Sequence, residues 1–264
     1  MNFSSKTVWI TGASSGIGRA LALELSNQGA TLILSSRRTE ALEEVRNTCH
    51  NPEVVHVLPL DLSQADQMPE RVQAALKLAP QGIDIVVHSG GISQRSLAAE
   101  TDLTVDRKLM EIDYFGTIAL TKAVLPHFEA QQYGHFAVIT SLAGKFGAPM
   151  RSSYSAAKHA LHGYFETLYL ENWRSNLSVT IVVPGLIRTN ISKNALVGDG
   201  SKQNSMDNMI DEGMSPEACA KKMAKAIYRK KHEVYIGKKE ILAIYLKRYL
   251  PGLLRNILKK RKLS

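Results

Sequence analysis

The chain has 264 residues, a formal net charge of +9 and only two cysteines, Cys49 and Cys219. That length can bury a full core and fits one large α/β domain, with no linker, repeat or low-complexity segment to mark a second. Two distant cysteines without metal spacing read as buried or incidental thiols, no apolar run is long enough to span a bilayer, and a first strand starting near residue 6 leaves no room for a signal peptide, so a cytoplasmic location is expected.

Lys6 to Thr11 reads as a short apolar strand, followed at once by Gly12-Ala13-Ser14-Ser15-Gly16-Ile17-Gly18 and then by helical periodicity from Arg19. In this succession the first glycine permits a tight turn, and Gly16 and Gly18 let backbone approach a pyrophosphate and helix pack on strand. The helix N-terminus offers free N–H groups and a partial positive charge. Gly12, Ser14, Ser15, Gly16, Ile17 and Gly18 are therefore candidate cofactor-binding residues. The spacing is G-x-x-x-G-x-G rather than the commoner G-x-G-x-x-G, and the missing Gly-Lys-Ser/Thr argues against a P-loop. The next strand, Ala30 to Ser36, ends in Arg37-Arg38. An NAD site usually places an acid here for the ribose 2′-hydroxyl, whereas a guanidinium fork suits a 2′-phosphate, so NADP(H) is the expected cofactor. One arginine of the pair, Arg38 before Arg37, reads equally as part of a solvated basic turn.

Ile83 to Val87 and Val179 to Val183 are apolar runs bounded by turn signals and alternating with helical stretches, as a parallel sheet requires. Helices are expected over about 101–131 and 153–174. Both carry apolar residues on more than one face, which fits packing within the monomer or against a second copy. The second of them holds Tyr154 and Lys158, four residues apart and so on one face, with Ser141 thirteen residues upstream. A phenol is a poor base at neutral pH, but a neighbouring ammonium stabilises the phenolate and suits it to exchange a proton with an alcohol or carbonyl oxygen. A serine hydroxyl from a strand end could hold the same oxygen. Alone, Tyr-x-x-x-Lys describes many exposed helix turns; the glycine turn at the other end of the chain is what gives it weight.

From Arg188 to Gly213 polar residues and glycines mix with Leu196, Val197, Met206 and Met209. Adaptable methionines suit an apolar ligand and suit ordinary packing equally. Ser215-Pro216-Glu217 is a clean helix start. Residues 238–264 then hold nine Lys/Arg (238, 239, 247, 248, 255, 259, 260, 261 and 262) and one acid, Glu240, a net +8 that leaves the body nearly neutral. Apolar residues interleave, and Pro251-Gly252 divides the stretch into two short amphipathic helices. Such helices can lie in an anionic membrane interface, or their apolar faces can cap the protein's own core or dimer with the lysines merely solvated. No motif accompanies the charge that would point to nucleic acid.

With both ends read, the chain resembles the short-chain dehydrogenase/reductase superfamily in its single-domain branch. The resemblance is carried by Thr11-Gly12-x-x-x-Gly16-x-Gly18, Ser141, Tyr154-x-x-x-Lys158 and Pro184-Gly185, and runs from Lys6 to about Gly237. A weaker likeness, in Tyr245 to Pro251, is to the dehydrogenase/reductase family member 7-like group. The resemblance implies a Rossmann-type, doubly wound, seven-stranded parallel sheet in the order 3-2-1-4-5-6-7 with helices on both faces. It implies one catalytic domain, 1–237, with a substrate lid near 188–214, and 238–264 as an extension of it. Tyr154 would be the acid/base, Ser141 the partner orienting the substrate oxygen, and Lys158 the holder of the nicotinamide ribose. Asp61 and Leu62 would meet the adenine, Ser89 and Gly90 would line the cofactor, and Pro184, Gly185, Ile187 and Thr189 would stand by the nicotinamide. A homodimer or homotetramer is implied, and no metal.

Two departures matter. The family's Asn-Asn-Ala-Gly is His88-Ser89-Gly90-Gly91 here, with His88 reading as a structural, hydrogen-bonded histidine rather than a base. Asp113 stands where the family often has an asparagine that completes a proton relay. If the relay uses the backbone carbonyl, little changes; if the side chain must donate, Asp113 must be protonated or its network rearranged. The expected activity is NADP(H)-dependent interconversion of an apolar carbonyl and alcohol. The alternatives are an NAD-linked enzyme and a catalytically idle NADP-binding sensor or membrane-associated scaffold.

Overall fold

β1 (Thr7–Thr11) is buried along its whole length. Its residues alternate between two apolar layers, with Val8 and Ile10 in one and Trp9 in the other. Burial on both faces is why the strand reads as a continuous apolar run rather than an alternating one. The computed structural model describes residues 1–260, so Arg261 and Lys262 of the basic tail lie outside the described residues. After β1 come α1 (Gly16–Ser26), β2 (Thr31–Ser35), α2 (Thr39–Thr48), β3 (Val55–Val57), α3 (Met68–Leu78) and β4 (Ile85–His88). The second half runs through α4 (Leu103–Met110), a π-helical turn (Glu111–Phe115), α5 (Gly116–Ala130), β5 (Gly134–Ile139), α6 (Ser152–Glu171) and β6 (Leu177–Pro184). It then continues through α7 (Asn208–Asp211), α8 (Pro216–Tyr228) and β7 (Glu233–Ile236), and ends in α9 (Leu242–Tyr249) and α10 (Pro251–Lys259).

The seven strands form one parallel sheet in the order β3-β2-β1-β4-β5-β6-β7, as the resemblance implies. One face is covered by α1, α2 and α8 through Leu21, Leu25, Leu42, Met223 and Ile227. The other is covered by α3, α5 and α6 through Val72, Val124, Phe128, Leu161 and Phe165. The buried indole N–H of Trp9 donates to Ser35 Oγ at 2.8 Å, and that hydroxyl donates to the Leu58 carbonyl at 2.6 Å, so these two polar groups inside the sheet layer are satisfied. Ser215 caps α8 through a bond from the Ala218 N–H at 3.2 Å, the start its sequence announces.

The expected helix over 101–131 is interrupted in the middle. The turn at Glu111–Phe115 is π-helical, an insertion that re-aims a side chain within a helix and recurs at functional sites. The tail does form two helices divided at Pro251. Leu254 is buried in the sheet's second layer, with Ala243, Ile244, Leu246 and Leu258 packed against it. One face of the tail is therefore part of the fold. No helix among the described residues is long and apolar enough to cross a membrane.

Candidate active site

Sheet register decides where the site lies. Thr11 pairs with Ser35 on one side and His88 on the other, so the carboxyl ends of β1, β2 and β4 are level. The chain order reverses between β1 and β4, which opens a crevice at that point. The glycine turn, Ser36-Arg37 and Ser89-Gly90 all leave the sheet there. Thr11 ties them together: its hydroxyl oxygen accepts from the Ser89 N–H at 3.2 Å and the Gly90 N–H at 3.1 Å. This bracing role was not legible in the sequence beyond the threonine's place in the motif.

The glycines at the turn are demanded by space as much as by dihedral angle. Gly12 has φ +67°, and a Cβ there would come within 2.7 Å of the Gly90 Cα and the Ser89 carbonyl oxygen. A Cβ on Gly18 would lie 2.4 Å from the Gly12 carbonyl oxygen. Among the described residues no side chain caps α1, and its first turn carries no acid, so its N-terminal N–H groups are left for an anion. Thr189 stands against this turn, its Cγ2 3.3 Å from where a Gly16 Cβ would be, which brings the segment after β6 back to the phosphate loop. Ile187 is buried and pairs with Met214, closing that segment on itself.

Arg37 and Arg38 are exposed at the end of β2, and among the described residues neither forms an ion pair. Arg38 is the N-cap residue of α2, its own N–H donating to Ser36 Oγ at 3.3 Å. Asp61 turns one carboxylate oxygen to the Ser63 N–H and hydroxyl, both at 2.9 Å. Leu62 is buried against Gly90, where a Cβ would meet its Cδ1 at 2.6 Å. These residues rim the crevice on the side where the cofactor's adenosine half is expected. Glycine cradle, uncapped helix end and free guanidinium groups together fit a dinucleotide.

On the other side of β4 the catalytic candidates converge. Ser141 follows β5 as the cap of a short turn, its oxygen accepting from the Ala143 N–H at 3.2 Å. Among the described residues its hydroxyl proton goes to no protein acceptor. Tyr154 and Lys158 lie on the buried face of α6, each under a tenth exposed, with Lys158 Nζ 5.7 Å from the centre of the Tyr154 ring. The ring packs among Val105, Leu109, Ala143 and Leu196, so both α4 and the segment after β6 wall it.

A buried ammonium needs a partner, and Asp113 supplies it from the π-helical turn, Oδ2 lying 3.2 Å from Lys158 Nζ. The other oxygen, Oδ1, accepts from the Ile92 N–H at 2.7 Å. Nζ also donates to the Ile139 carbonyl at 3.4 Å. Burial alone would push the lysine down, but the Asp113 carboxylate and then Tyr154 outweigh it and hold Lys158 above its ordinary value, firmly protonated. Burial raises the Asp113 carboxyl above the usual range, against the pull of Lys158 and the Ile92 N–H. Asp113 Oδ1 thus accepts a backbone N–H while Oδ2 faces the ammonium, and its backbone carbonyl accepts from Thr117 Oγ at 3.0 Å. His88, by contrast, is in the core: Nε2 meets Thr121 Oγ at 2.9 Å and the ring stacks on Phe136. Burial lowers its pKa to about 3, which keeps it neutral and away from the chemistry.

A further residue carries no motif and went unread in the sequence. Gln94 is fully buried; its Oε1 accepts the Ser153 N–H at 3.0 Å, and its Nε2 donates to Thr101 Oγ at 2.8 Å and Ser152 Oγ at 3.2 Å. It caps α6 one residue before Tyr154. Arg95, next in the chain, pairs with Asp207, which Arg151 also reaches at 3.3 Å. These bonds pin the segment after β6 to the start of α6.

A family model described as short chain dehydrogenase matches residues 6–198. A Drosophila melanogaster protein described as dehydrogenase/reductase SDR family protein 7-like is 40% identical over 97% of this chain and 80% of its own length. Among solved structures, a short chain dehydrogenase/reductase from Burkholderia phymatum in complex with NAD covers 100% of this chain and 98% of its own at TM-score 0.83 and 19% identity. A short chain dehydrogenase from Burkholderia cenocepacia in complex with NADP covers 99% of this chain and 100% of its own at TM-score 0.81 and 22% identity.

Proposed function

The chain belongs to the short-chain dehydrogenase family of oxidoreductases, and from that membership we propose that it interconverts a carbonyl and an alcohol with NADP(H), Tyr154 serving as acid and base. The observation that carries this reading is the buried Tyr154–Lys158–Asp113 cluster beside Ser141, at the same sheet edge as an uncapped glycine-turn helix. When bound, the nicotinamide supplies or accepts the hydride. The chain's own residues do the rest. Ser141 donates to the substrate oxygen and fixes it near the phenol. Tyr154 gives that oxygen its proton in reduction and takes it in oxidation. Lys158, kept protonated, stabilises the phenolate left behind and is placed to hold the nicotinamide ribose. Asp113 keeps the ammonium in place and, through the Ile92 N–H, sets the loop after β4 beside it.

The preference for NADP(H) over NAD(H) rests on Arg37 with Arg38, exposed and without acidic partners among the described residues at the end of β2, where a 2′-phosphate would be met. The likeness to NAD-bound and NADP-bound proteins alike leaves that choice to this chain's own residues. An apolar substrate is favoured by the wall of Val105, Leu109 and Leu196 around Tyr154.

The test is a panel of apolar carbonyls and alcohols assayed with both cofactors by absorbance of the reduced nicotinamide, alongside Tyr154→Phe. The expected result is NADPH-linked turnover by the wild type, abolished in the variant, with cofactor affinity changed no more than a few-fold because the pyrophosphate is held at Gly12 to Gly18. Near wild-type turnover in Tyr154→Phe would overturn the mechanism. Tight cofactor binding without turnover of any carbonyl would favour the idle nucleotide sensor.

A further inference from the structure

Among the described residues the tail's apolar side chains divide between two faces, one packed into the fold and one exposed. Ala243, Ile244, Leu246, Leu254 and Leu258 face the sheet layer. Leu242, Tyr245, Tyr249, Leu250, Leu253 and Ile257 remain between 41% and 74% exposed. Leu242, Tyr245 and Tyr249 follow helical spacing along α9, Leu253 and Ile257 do so along α10, and Leu250 sits at the joint. Lys247, Arg248, Arg255 and Lys259 are exposed on the same two helices, and Lys260 directly after them. No acid follows Glu240 in the sequence, and among the described residues these cations form no ion pair.

We propose that α9 and α10 together form a docking surface for an anionic lipid bilayer, their outward apolar stripe entering the interface and the surrounding cations meeting lipid headgroups. The charge selects this occupant. A second copy presenting the same face would bring two sets of unpaired cations together, whereas anionic headgroups complement them. A nucleic acid would answer the charge but offers no apolar phase for exposed leucines and an isoleucine. Tyrosines at the headgroup level, beside aliphatic residues and cations, are the composition of interfacial helices.

The surface is hydrogen-bonded at its root to the active-site rim. Glu240 Oε1 accepts from the Leu186 N–H at 3.0 Å and the Lys238 N–H at 3.1 Å. Lys238 Nζ donates to the carbonyls of Glu212 at 2.8 Å and Gly213 at 3.2 Å. The root of the tail therefore holds both ends of the segment that runs over Tyr154, and a docked tail would set that segment against the bilayer. This placement suits an apolar substrate drawn from lipid, though the docking itself does not depend on the catalytic reading.

Deleting the tail is the wrong experiment, because it removes Leu254 from the core. The test uses the 264-residue chain and its Tyr249→Glu/Leu253→Glu variant, both positions being exposed, in cosedimentation with phosphatidylcholine vesicles with and without roughly 30 mol% phosphatidylserine. Circular dichroism and Tm are measured to confirm that the variant folds. The expected result is binding to the anionic vesicles at least about tenfold tighter than to the neutral ones. That binding should be released as salt rises from about 0.05 to 0.5 M, and lost in the folded double variant. Wild type left in the supernatant, equal binding to neutral vesicles, or a double variant that binds unchanged would each overturn the proposal. So would a wild-type dimer that ignores vesicles and that the double variant splits, which would assign the face to a second copy.

Discussion

Two side chains carry most of what distinguishes this chain at the residue scale. Arg37 stands at the end of β2 with no ion-pair partner among the described residues, and its contact with a 2′-phosphate would be charge-assisted, worth roughly 1.5–3 kcal/mol. Arg37→Ala is expected to weaken NADPH binding about ten- to a hundredfold while leaving NADH nearly unchanged; titration of cofactor fluorescence checks this, and equal losses for both would point away from NADP(H). Asp113 is the second. Its carboxylate neutralises a buried ammonium at 3.2 Å and accepts a backbone N–H at 2.7 Å. Asp113→Leu removes both and strands the lysine, at an expected cost of about 3–5 kcal/mol. Asp113→Asn keeps an acceptor for the Ile92 N–H and is expected to lose clearly less in urea unfolding. Matching losses in the two variants would mean that the charge, not the loop contact, is what the fold requires of this position.

At the scale of elements, the site depends on how α6 begins. Its N-terminal cap comes not from a neighbouring serine or aspartate but from Gln94, across the crevice, through the Ser153 N–H. That bond fixes the first turn of the helix that carries Tyr154. Gln94→Leu is expected to cost about 0.5–2 kcal/mol as a lost cap and to lower kcat while leaving NADPH affinity within a few-fold, since its hydrogen-bond partners are Ser96, Thr101, Ser152 and Ser153 and not the glycine turn. Gln94→Glu, which retains the acceptor, should restore part of kcat. Steady-state kinetics with cofactor titration separate this positioning effect from general unfolding, which would weaken both. The π-helical turn is a second such device. It sits between α4 and α5 and presents Asp113 to Lys158, whereas the sequence over this stretch reads as one uninterrupted helix.

The whole molecule is expected to be sensitive to acid through histidines that the chemistry does not use. Burial lowers the pKa of His88 and His135 to about 3, and burial with the nearby Lys145 lowers that of His162 to about 4. Below about pH 6.5 the unfolded chain binds protons at these positions and the native state does not, so stability falls as pH falls. The loss is about 1.4 kcal/mol per pH unit for each histidine. It levels off only when the folded groups themselves titrate, near 4 for His162 and near 3 for the other two. Urea unfolding at a series of pH values between neutrality and 5 should show this slope, and His135→Asn should reduce it by up to about 1.4 kcal/mol per pH unit. A stability independent of pH over that range would show that these rings are not held neutral.

The amino-acid sequence already specified the sheet, its order through family likeness, the glycine turn, the Tyr154–Lys158 pair and the two tail helices. Apart from the strand order, which came from the likeness, each of these is local: a periodicity, a turn residue or an i, i+4 spacing, set by backbone geometry within a few residues. The rest arises from contacts between residues far apart in the chain, which no local pattern records. Thr11 meets Ser89 and Gly90 only because β1 and β4 are neighbours in register. Gln94 reaches α6 only because the loop after β4 crosses the sheet edge. Asp113 faces Lys158 only because a π turn shifts it within its helix. The tail shows the same division: its amphipathic composition is plain in the sequence, but which apolar residues are spent on the core and which stay exposed depends on the surface that the sheet's second apolar layer offers to Leu254 and its neighbours.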